Sequence, residues 1–264
     1  MSSPGIYLYG FAIPDQVRGF AHPGHDEIGA VRVHEVAGLA VIVSPVCPAE
    51  FELALSADPP DPKWIVPRAV HHERVLEAVL ARSPVLPTRF GCLFASEPAL
   101  EAVTRQHRDL ITRFLSEVAN QEEWTLKAFL DEKQAVEAVL QSDPTLSERY
   151  RKLPAARGAR YFLEKKLREE AHSKAIRAGK AASLRLQQAI EQSGVGVRTL
   201  PSRGDEPGVH PLLLKLALLI PRGKLPDIVG AAEHAAAESV PLLVETSGPL
   251  PPYHFCPSLG ESSQ

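Results

Sequence analysis

Residues 85–94 read Val-Leu-Pro-Thr-Arg-Phe-Gly-Cys-Leu-Phe, and a helical pattern that ends near Arg82 leads directly into them. The apolar residues of this stretch are strong β-formers, so the sequence predicts one strand over 85–94. Because Pro87 has no backbone N–H, the strand must begin there or leave that position unpaired. Because Gly91 has no side chain, another backbone is expected to approach the strand closely there.

Arg89 and Phe90 lie in the middle of this stretch and are the first candidate binding residues. Successive side chains of a strand alternate, so the two are expected on opposite faces. Arg89 is either a rim arginine whose ion pair anchors the sheet edge or a contact residue for a partner, since charged side chains are rarely buried unpaired. Both residues are therefore candidates for partner binding or for a contact between domains.

The residues before this stretch predict strands. Segment 6–13 alternates in polarity and predicts a first strand. The residues expected on one of its faces are Tyr7, Tyr9 and Phe11. Strand patterns at 30–36 and 39–43 flank Ala37-Gly38, which predicts a hairpin because glycine accepts the positive φ of a tight turn.

Two helices complete the predicted N-terminal domain. An apolar stripe at helical spacing begins at Pro67, which suits a first turn, and runs to Arg82. Ser96 is a plausible N-cap for a second helix that ends near Asn120. Strands, a hairpin and helices in this order predict an α+β sheet domain over 1–121, covered by helices on one face.

The C-terminal half predicts a second domain, over 122–247, with a ferredoxin-like fold. Its element order is strand, helix, strand, strand, helix, strand, which is the split βαβ pattern. The predicted elements are a strand at 124–130, a helix that follows Asp131, a long helix at 159–192, strands at 195–200 and 212–220, a helix at 225–238 and a strand at 241–245. The loop between the two middle strands contains Arg203-Gly204-Asp205, which is predicted to be a turn.

The long helix predicted at 159–192 is unusual for its length. At about 1.5 Å per residue it would reach about 50 Å, which is longer than a compact domain needs. Gly179 inside it costs about 1 kcal/mol relative to alanine. Part of this helix is therefore expected to project or to pack between the domains.

The chain ends in a proline-rich tail, predicted over 248–264. The three prolines within 249–252 fix φ and make the tail extended and rigid. Tyr253 and Phe255 are expected to anchor it. These two residues either pack the tail against the protein or contact a partner directly, because aromatic residues dominate both cores and interfaces.

The composition is typical of a soluble globular protein. Of 264 residues, 44% are hydrophobic and 23% are charged, and the formal net charge is -3, which gives no general attraction to nucleic acid. The longest apolar run, 212–220, is too short to span a membrane. The absence of a secretory signal pattern and three widely spaced cysteines suit a reducing compartment. We expect a cytoplasmic protein that binds neither nucleic acid nor membrane.

Motifs for catalysis are scarce. The sequence has no glycine-rich phosphate loop and no Gly-x-Ser-x-Gly elbow. The residues that resemble metal ligands are His22, His25, Asp26, His71, His72 and Glu73. A metal-dependent enzyme using His22, His25 and His72 is one alternative function. The simpler interpretation is a solvated turn at 22–26 and a helix surface with one hydrogen-bonded histidine at 71–73. No catalytic residue, cofactor or metal is predicted.

Two segments carry a family resemblance. They are Leu86-Pro-Thr-Arg-Phe-Gly91 and Gly248-Pro-Leu-Pro-Pro-Tyr-His-Phe255. Both resemble motifs of the gas vesicle protein F/L family (GvpF/GvpL), whose members carry Leu-Pro-x-Arg-Phe-Gly and close with Gly-Pro-Trp-Pro-Pro-Tyr-x-Phe. Further similar segments begin at Trp124, Gly158 and Leu214, so the resemblance covers nearly the whole chain. Leu250 stands where the family has tryptophan, which removes any stacking role of that ring.

The resemblance implies a non-enzymatic accessory or minor structural protein of gas vesicle formation, located at the gas vesicle in the cytoplasm. The expected partners are the small hydrophobic shell protein (GvpA) and other gas vesicle proteins, and no cofactor is expected. Apolar strands and a long amphipathic helix could dock or shield such a partner. A small-molecule-sensing regulatory module is a further alternative that rests only on the ferredoxin-like order, and a fold does not give a function.

Overall fold

The structure, a computed structural model, describes residues 5–25, 29–59, 61–201, 210–236 and 240–259. Asp26 of the candidate metal ligands and the predicted turn at 203–205 lie outside these ranges. The chain forms two compact units, the first from 1–122 together with 249–264 and the second from 123–248. Each combines helices with one β-sheet, so the mixed helix and strand composition predicted from the sequence is confirmed.

The first unit is built around a sheet with strand order β2-β3-β4-β1-β5, in which β6 also pairs with β1. Its strands are β1 (Gly5–Ala12), β2 (His22–Pro23), β3 (Ala30–Val36), β4 (Leu39–Val46), β5 (Val85–Pro87) and β6 (Leu93–Phe94). Strand β1 is antiparallel to β4 on one side and to β5 and β6 on the other, and all its residues are buried. The β3–β4 hairpin is confirmed, with positive φ at both Ala37 and Gly38.

Strand β1 carries an irregularity that the alternating pattern did not predict. The register with β4 shifts between Leu8 and Gly10, which leaves Tyr9 as the extra residue of a bulge. A bulge reverses the alternation beyond it. Ala12, and not Phe11, therefore joins Tyr7 and Tyr9 in the main core cluster of this unit.

Three helices accompany this sheet: α1 (Pro48–Ser56), α2 (Pro62–Leu80) and α3 (Glu97–Glu117). The sequence did not predict α1, which is short and has no side-chain cap. Helix α2 begins at Pro62 rather than Pro67, because the Asp61 side chain caps it by accepting from Lys63 N. The prediction of Ser96 as the N-cap of α3 is confirmed, since its side chain accepts from Ala99 N.

The single strand predicted over 85–94 is wrong. Strand β5 ends at Pro87 and β6 begins at Leu93, with an irregular loop between them. Gly91 has a φ of +86° inside this loop, a conformation that terminates extended structure. Residues 88–92 therefore form a loop where the sequence pattern predicted continuous strand pairing.

The second unit contains a four-stranded sheet with the order β10-β7-β9-β8. Its strands are β7 (Gln121–Leu130), β8 (Gly196–Thr199), β9 (Leu212–Pro221) and β10 (Leu242–Leu250), and its helices are α4 (Glu132–Ser142), α5 (Pro144–Arg151), α6 (Arg157–Gln192) and α7 (Leu225–Ala236). Helix α5, capped by Asp143, was not predicted. Strand β10 runs to Leu250 and is thus longer than the strand predicted to end at 245.

Helix α6 confirms the long helical pattern and shows why Gly179 lies within it. The buried stripe of the helix includes the small residues Ala171, Ala175, Gly179 and Ala182. A Cβ at Gly179 would lie 3.0 Å from a methyl carbon of both Leu130 and Leu213. The glycine therefore permits close packing of the helix against neighbouring side chains. Across the described residues, no helix combines the length and apolarity needed to cross a bilayer.

Replacing Gly179 by leucine is expected to destabilise the second unit by about 1–3 kcal/mol, because the larger side chain overpacks the space beside Leu130 and Leu213. Chemical denaturation followed by Trp124 fluorescence in a Trp64→Phe background measures the change. Gly158→Ala is the matched control on the same helix, because no atom lies within 4 Å of a Cβ there. Equal stability of Gly179→Leu and the wild type would show that this packing is unimportant.

Candidate functional site

The two motif segments of the sequence meet in the first unit. We call residues 86–91 the motif loop and residues 249–259 the tail. The Cys256 sulfur lies 3.8 Å from the Pro87 carbonyl oxygen, which brings the tail against the start of the motif loop. The Tyr253 hydroxyl donates to a Glu73 carboxylate oxygen on α2 at 2.9 Å. Residues far apart in sequence therefore form one surface region of this unit.

Thr88 fixes the motif loop to strand β1. Its backbone N–H donates to the Tyr9 carbonyl oxygen at 2.9 Å. Its hydroxyl lies 2.7 Å from the Leu8 carbonyl oxygen and 2.9 Å from that of Tyr9. The side chain thus extends the hydrogen bonding of the sheet past Pro87, where the strand ends. The loop conformation is set by these bonds and not by strand pairing alone.

A buried hydrogen-bond chain holds the loop from below. His72 Nε2 lies 3.1 Å from the Thr88 carbonyl oxygen, which can only accept, so this nitrogen carries the proton. His72 Nδ1 then accepts from the Tyr7 hydroxyl at 2.9 Å. The same Tyr7 oxygen accepts from the Gly91 N–H at 3.2 Å. This series of hydrogen bonds holds both ends of the motif loop against the core and fixes the tautomer of His72.

Aromatic and imidazole rings surround these hydrogen bonds. The Tyr9 ring stacks on both His25 and His72, each at a centroid distance of 5.5 Å, and the Tyr7 ring lies 4.5 Å from His25. His25 and His72 are only 2% and 1% exposed. Burial lowers the pKa of His25 to about 3, aided by the nearby His71, and it lowers the pKa of His72 to about 4. Both imidazoles are neutral at physiological pH.

The structure corrects the interpretation of 22–26 as a solvated turn, since His25 is buried. His25 and His71 have ring centroids 4.6 Å apart, and those of His22 and His71 are 5.4 Å apart. His72 matches the hydrogen-bonded histidine predicted at 71–73, because Tyr7 and Thr88 occupy its two nitrogens. Among the described residues, no group of three or more His, Cys, Asp or Glu could hold a metal ion. The hypothesis of a metal-dependent enzyme therefore finds no ligand set there.

Arg89 and Phe90 point to different surroundings, as predicted, although from a loop. Arg89 is exposed, and its side chain makes no hydrogen bond or ion pair with the residues that the structure describes. Phe90 is half-buried. Its ring lies 6.3 Å from Tyr7, 6.2 Å from Phe51 and 6.1 Å from His72. Phe90 packs the loop onto the core, and Arg89 is left available at the surface.

Burial and a hydrogen bond to a carboxylate both hold the tail. Pro251 and Pro252 are buried, and Tyr253 packs half-buried against the main core cluster. Burial raises the pKa of Glu73, while the hydrogen bond from Tyr253 lowers it. Burial, together with the charge of Glu73, raises the pKa of Tyr253 far above its ordinary value. Phe255 is half-buried, and its N–H donates to the Pro252 carbonyl oxygen at 3.2 Å.

Comparison with known proteins identifies the family of this chain. The family model for gas vesicle synthesis protein GvpL/GvpF matches residues 5–257, which includes both motif segments. The chain belongs to the GvpL/GvpF family. Gas vesicle protein F of Streptomyces sp. (strain CB03234) is 25% identical over 258 residues, which cover 94% of this chain and 98% of that protein.

Two solved structures of GvpF proteins share the fold. Gas vesicle protein GvpF from Anabaena sp. PCC7120 superposes with a TM-score of 0.63 at 19% identity, over 97% of this chain and 99% of that one. GvpF from Microcystis aeruginosa gives a TM-score of 0.60 at 20% identity, over 96% and 99%. The predicted resemblance is confirmed. Membership of the GvpL/GvpF family supports a role in gas vesicle formation, association with the gas vesicle and other gas vesicle proteins as partners.

Several residues that shape this region were not selected from the sequence. Tyr7 and Thr88 lie in predicted strands, where their hydrogen bonds to distant residues left no local signal. Glu73 was noted only as part of a metal-like cluster, yet it receives the tail tyrosine. The adjacent pair His71-His72 was the one sequence feature that pointed to this region. Two consecutive histidines beside the apolar stripe of a helix are unusual, which suggests that at least one of them is buried.

Proposed function

We propose that this GvpL/GvpF family member is an accessory or minor structural protein of gas vesicle formation that binds the small hydrophobic shell protein GvpA. The observation that carries the proposal is the juxtaposition of the two family motif segments, with the Cys256 sulfur 3.8 Å from the Pro87 carbonyl oxygen. A single partner surface could then use both segments. The proposed contact residues are Arg89, Phe90, Tyr253 and Phe255.

The rigidity of the motif loop supports this proposal. Binding by a flexible loop costs free energy because side chains and backbone must be ordered on association. Here Thr88 and the chain from Tyr7 to His72 order the loop in advance. The backbone of Arg89 is therefore held in place, while its exposed guanidinium offers five donors to a partner, and arginine is enriched in protein interfaces. Phe90 and Tyr253 are half-buried, so each would contact the partner through the exposed part of its ring.

Arg89→Glu is expected to weaken capture of GvpA about tenfold or more, because it removes the exposed guanidinium and reverses its charge, a loss of about 1.4 kcal/mol. A pull-down of co-expressed GvpA with the tagged chain measures this. Arg113→Glu is the matched control, since Arg113 is an exposed arginine on α3 of the same unit. Failure of the wild-type chain to capture GvpA would refute the proposal.

Tail variants separate direct contact from support. Tyr253→Phe keeps the ring and removes the hydrogen bond to Glu73, whereas Tyr253→Ala also removes the packing. If Tyr253 acts by positioning the tail, Glu73→Ala, which removes only its hydrogen-bond partner, lowers capture of GvpA as Tyr253→Phe does. If Tyr253 contacts GvpA directly, Glu73→Ala leaves capture unchanged while Tyr253→Ala lowers it. Phe255→Ala tests the half-buried ring beside it.

We also infer that the second unit is the ferredoxin-like domain predicted over 122–247. The strand order β10-β7-β9-β8 supports this, because β9 lies between β7 and β8, which α4, α5 and α6 connect. In the same way β7 lies between β9 and β10, which α7 connects. An experimental structure with β8 beside β7 would contradict this assignment. No specific observation in the described residues favours a metal-dependent enzyme or a small-molecule-sensing module.

A further inference from the structure

The beginning of helix α6 exposes an unusual apolar group. Residues 155–163 are all exposed, and they include the consecutive residues Tyr161, Phe162 and Leu163. Phe162 is 73% exposed, and its ring lies 5.8 Å from that of Tyr161. Successive helical residues are about 100° apart, so these three cover more than half of the circumference. Single exposed apolar residues are ordinary, but a contiguous group indicates an interaction surface.

The charges at this helix end are opposite to those that the helix itself favours. Exposed basic residues surround the apolar group: Arg157, Arg160, Lys165 and Lys166. Their side chains make no hydrogen bond or ion pair with the residues that the structure describes. The N-cap residue Ala156 makes no side-chain cap, and the first turn has no acidic residue. Because the N-terminal end of a helix carries partial positive charge, this end is unfavourable alone and would be stabilised by carboxylates of a partner.

A groove lies beside this helix end. It has a volume of about 1460 Å³, and α4, residues 161–173 of α6 and Pro241 line it. Tyr161 forms part of its wall. The wall contains four glutamates and three cations, Lys133, Lys165 and Arg168, so its net charge is close to zero. Arg168 pairs with both Glu137 and Glu164. The groove thus provides a concave, nearly neutral binding surface next to the exposed apolar residues 161–163 and the basic residues around them. We call the helix end and the groove together the α6 surface.

Helix α1 in the first unit has the complementary character. Glu50 and Glu52 are exposed on it, and so are Leu53, at 76%, and Leu55. Residues 48–62 contain four acidic residues and no basic one. The last turn of α1 also lacks a basic residue, so the partial negative charge at its C-terminal end is uncompensated. We call the exposed side of α1 the α1 surface.

We propose that the α1 surface of one copy of this chain docks on the α6 surface of a second copy. Each surface supplies the charges that the other lacks: carboxylates for the start of α6 and cations for the end of α1. Leu53 and Leu55 would cover Tyr161 and Phe162 at the mouth of the groove, as an amphipathic helix fills an apolar groove. This pairing goes beyond binding of the shell protein and does not depend on it.

The two surfaces differ, so the contact is heterologous and joins copies head to tail. Such contacts build a ring if the rotation between copies closes and an open chain if it does not. Each surface is small, and interfaces below about 1,200 Å² are generally weak. The association is therefore expected to depend on protein concentration and, because exposed charges contribute to it, to weaken at high salt.

Sedimentation velocity on the purified chain tests the proposal without any shell protein. We expect the weight-average mass to rise with concentration at low salt and to fall at high salt. Leu53→Ser and Phe162→Ser should each reduce association at least tenfold. Leu184→Ser is the matched control, since Leu184 is a leucine on α6 that is 59% exposed and lies outside both surfaces. A chain that stays monomeric throughout would overturn the proposal, even if it captured some other acidic protein.

A charge-reversal pair makes the test specific. Arg157→Glu with Arg160→Glu on one variant, and Glu50→Lys with Glu52→Lys on another, should each abolish self-association of that variant. Mixing the two variants should restore it, because the reversed surfaces then match across molecules. Mixing Leu53→Ser with Phe162→Ser should give dimers and nothing larger, because each variant keeps one intact surface. Association that survives both reversals, or mixing that restores nothing, would contradict the head-to-tail contact.

Discussion

Lowering the pH from 7 to 5 is expected to reduce the free energy of unfolding of the first unit by about 4 kcal/mol, of which His25 and His72 each contribute about 2 kcal/mol. Both imidazoles are buried, and burial is the main cause that lowers their pKa values, to about 3 and about 4. The ordinary pKa of histidine is 6.5. This loss is a large fraction of the stability of a typical domain.

The sign follows from proton binding in the two states. Between pH 6.5 and the lowered pKa values, each histidine binds a proton in the unfolded chain and none in the folded chain. Protonation therefore favours unfolding, and stability falls as the pH falls through this window. Above pH 6.5 neither state binds the proton, so these histidines add no pH dependence there. The groups that face His25 act in the same direction as burial, since His71, His72 and Arg68 each lower its pKa further.

Urea denaturation at a series of pH values measures this effect. The chain has two tryptophans, so a Trp124→Phe background leaves Trp64, whose ring lies 4.9 Å from Phe51 in the same core cluster, as the reporter. His72→Gln should remove about half of the pH dependence between pH 5 and 6.5, even if it lowers the stability at pH 7. An unaltered slope in both the His25→Gln and His72→Gln variants would contradict this account.

Much of the fold was predictable where local signals are strong. The β3–β4 turn has glycine at a position with positive φ, Ser96 and Asp131 cap helices that begin just after them, and Gly194 has a φ of +78° just after α6 ends. These features depend on residues within a few positions of one another. Helices α1 and α5 were missed because each is short and begins with a proline, a residue that also marks loops.

The candidate site was predictable only at its surface. Arg89 and Phe90 were selected from the motif itself, and their opposite environments follow from chain geometry. The bonds that fix the loop were not predictable, because they join residues distant in sequence: Tyr7 and His72 are 65 positions apart, and Tyr7 and Gly91 are 84 apart. Such partners depend on tertiary packing, for which a single sequence carries no periodic signal.

Gly91 illustrates the same limit. The sequence suggested that this glycine allows another backbone to approach, but a Cβ there would meet only the flexible side chain of Leu55, and the residue is glycine because of its positive φ. The close approach of backbones occurs instead at Gly10, in the centre of β1. A Cβ at Gly10 would lie 2.5 Å from the Leu86 carbonyl oxygen and 3.2 Å from the Pro87 Cα.

Gly10→Ala is therefore expected to destabilise the first unit by about 3 kcal/mol or more, a size typical of changes that disturb a packed backbone. Gly10 pairs with Ile42 on one side and with Pro87 on the other, so the added methyl group cannot move away from one strand without entering the other. The strands β1 and β5 must separate. Separation would also stretch the bonds from Thr88 to the Tyr9 carbonyl oxygen, because Tyr9 precedes Gly10 in the same strand.

Two measurements distinguish this from a general loss of stability. Urea denaturation gives the free energy of unfolding, and hydrogen exchange of the Thr88 N–H reports the local bond to Tyr9. Gly38→Asn is the control in the same sheet, since no atom lies within 4 Å of a Cβ there and asparagine tolerates a φ of +80°. The positive φ still strains this substitution, so it should cost about 1 kcal/mol, and it should leave the protection of the Thr88 N–H unchanged. If Gly10→Ala were as stable as the wild type with unchanged protection of Thr88, the close approach of β1 and β5 would not be what holds the motif loop in place.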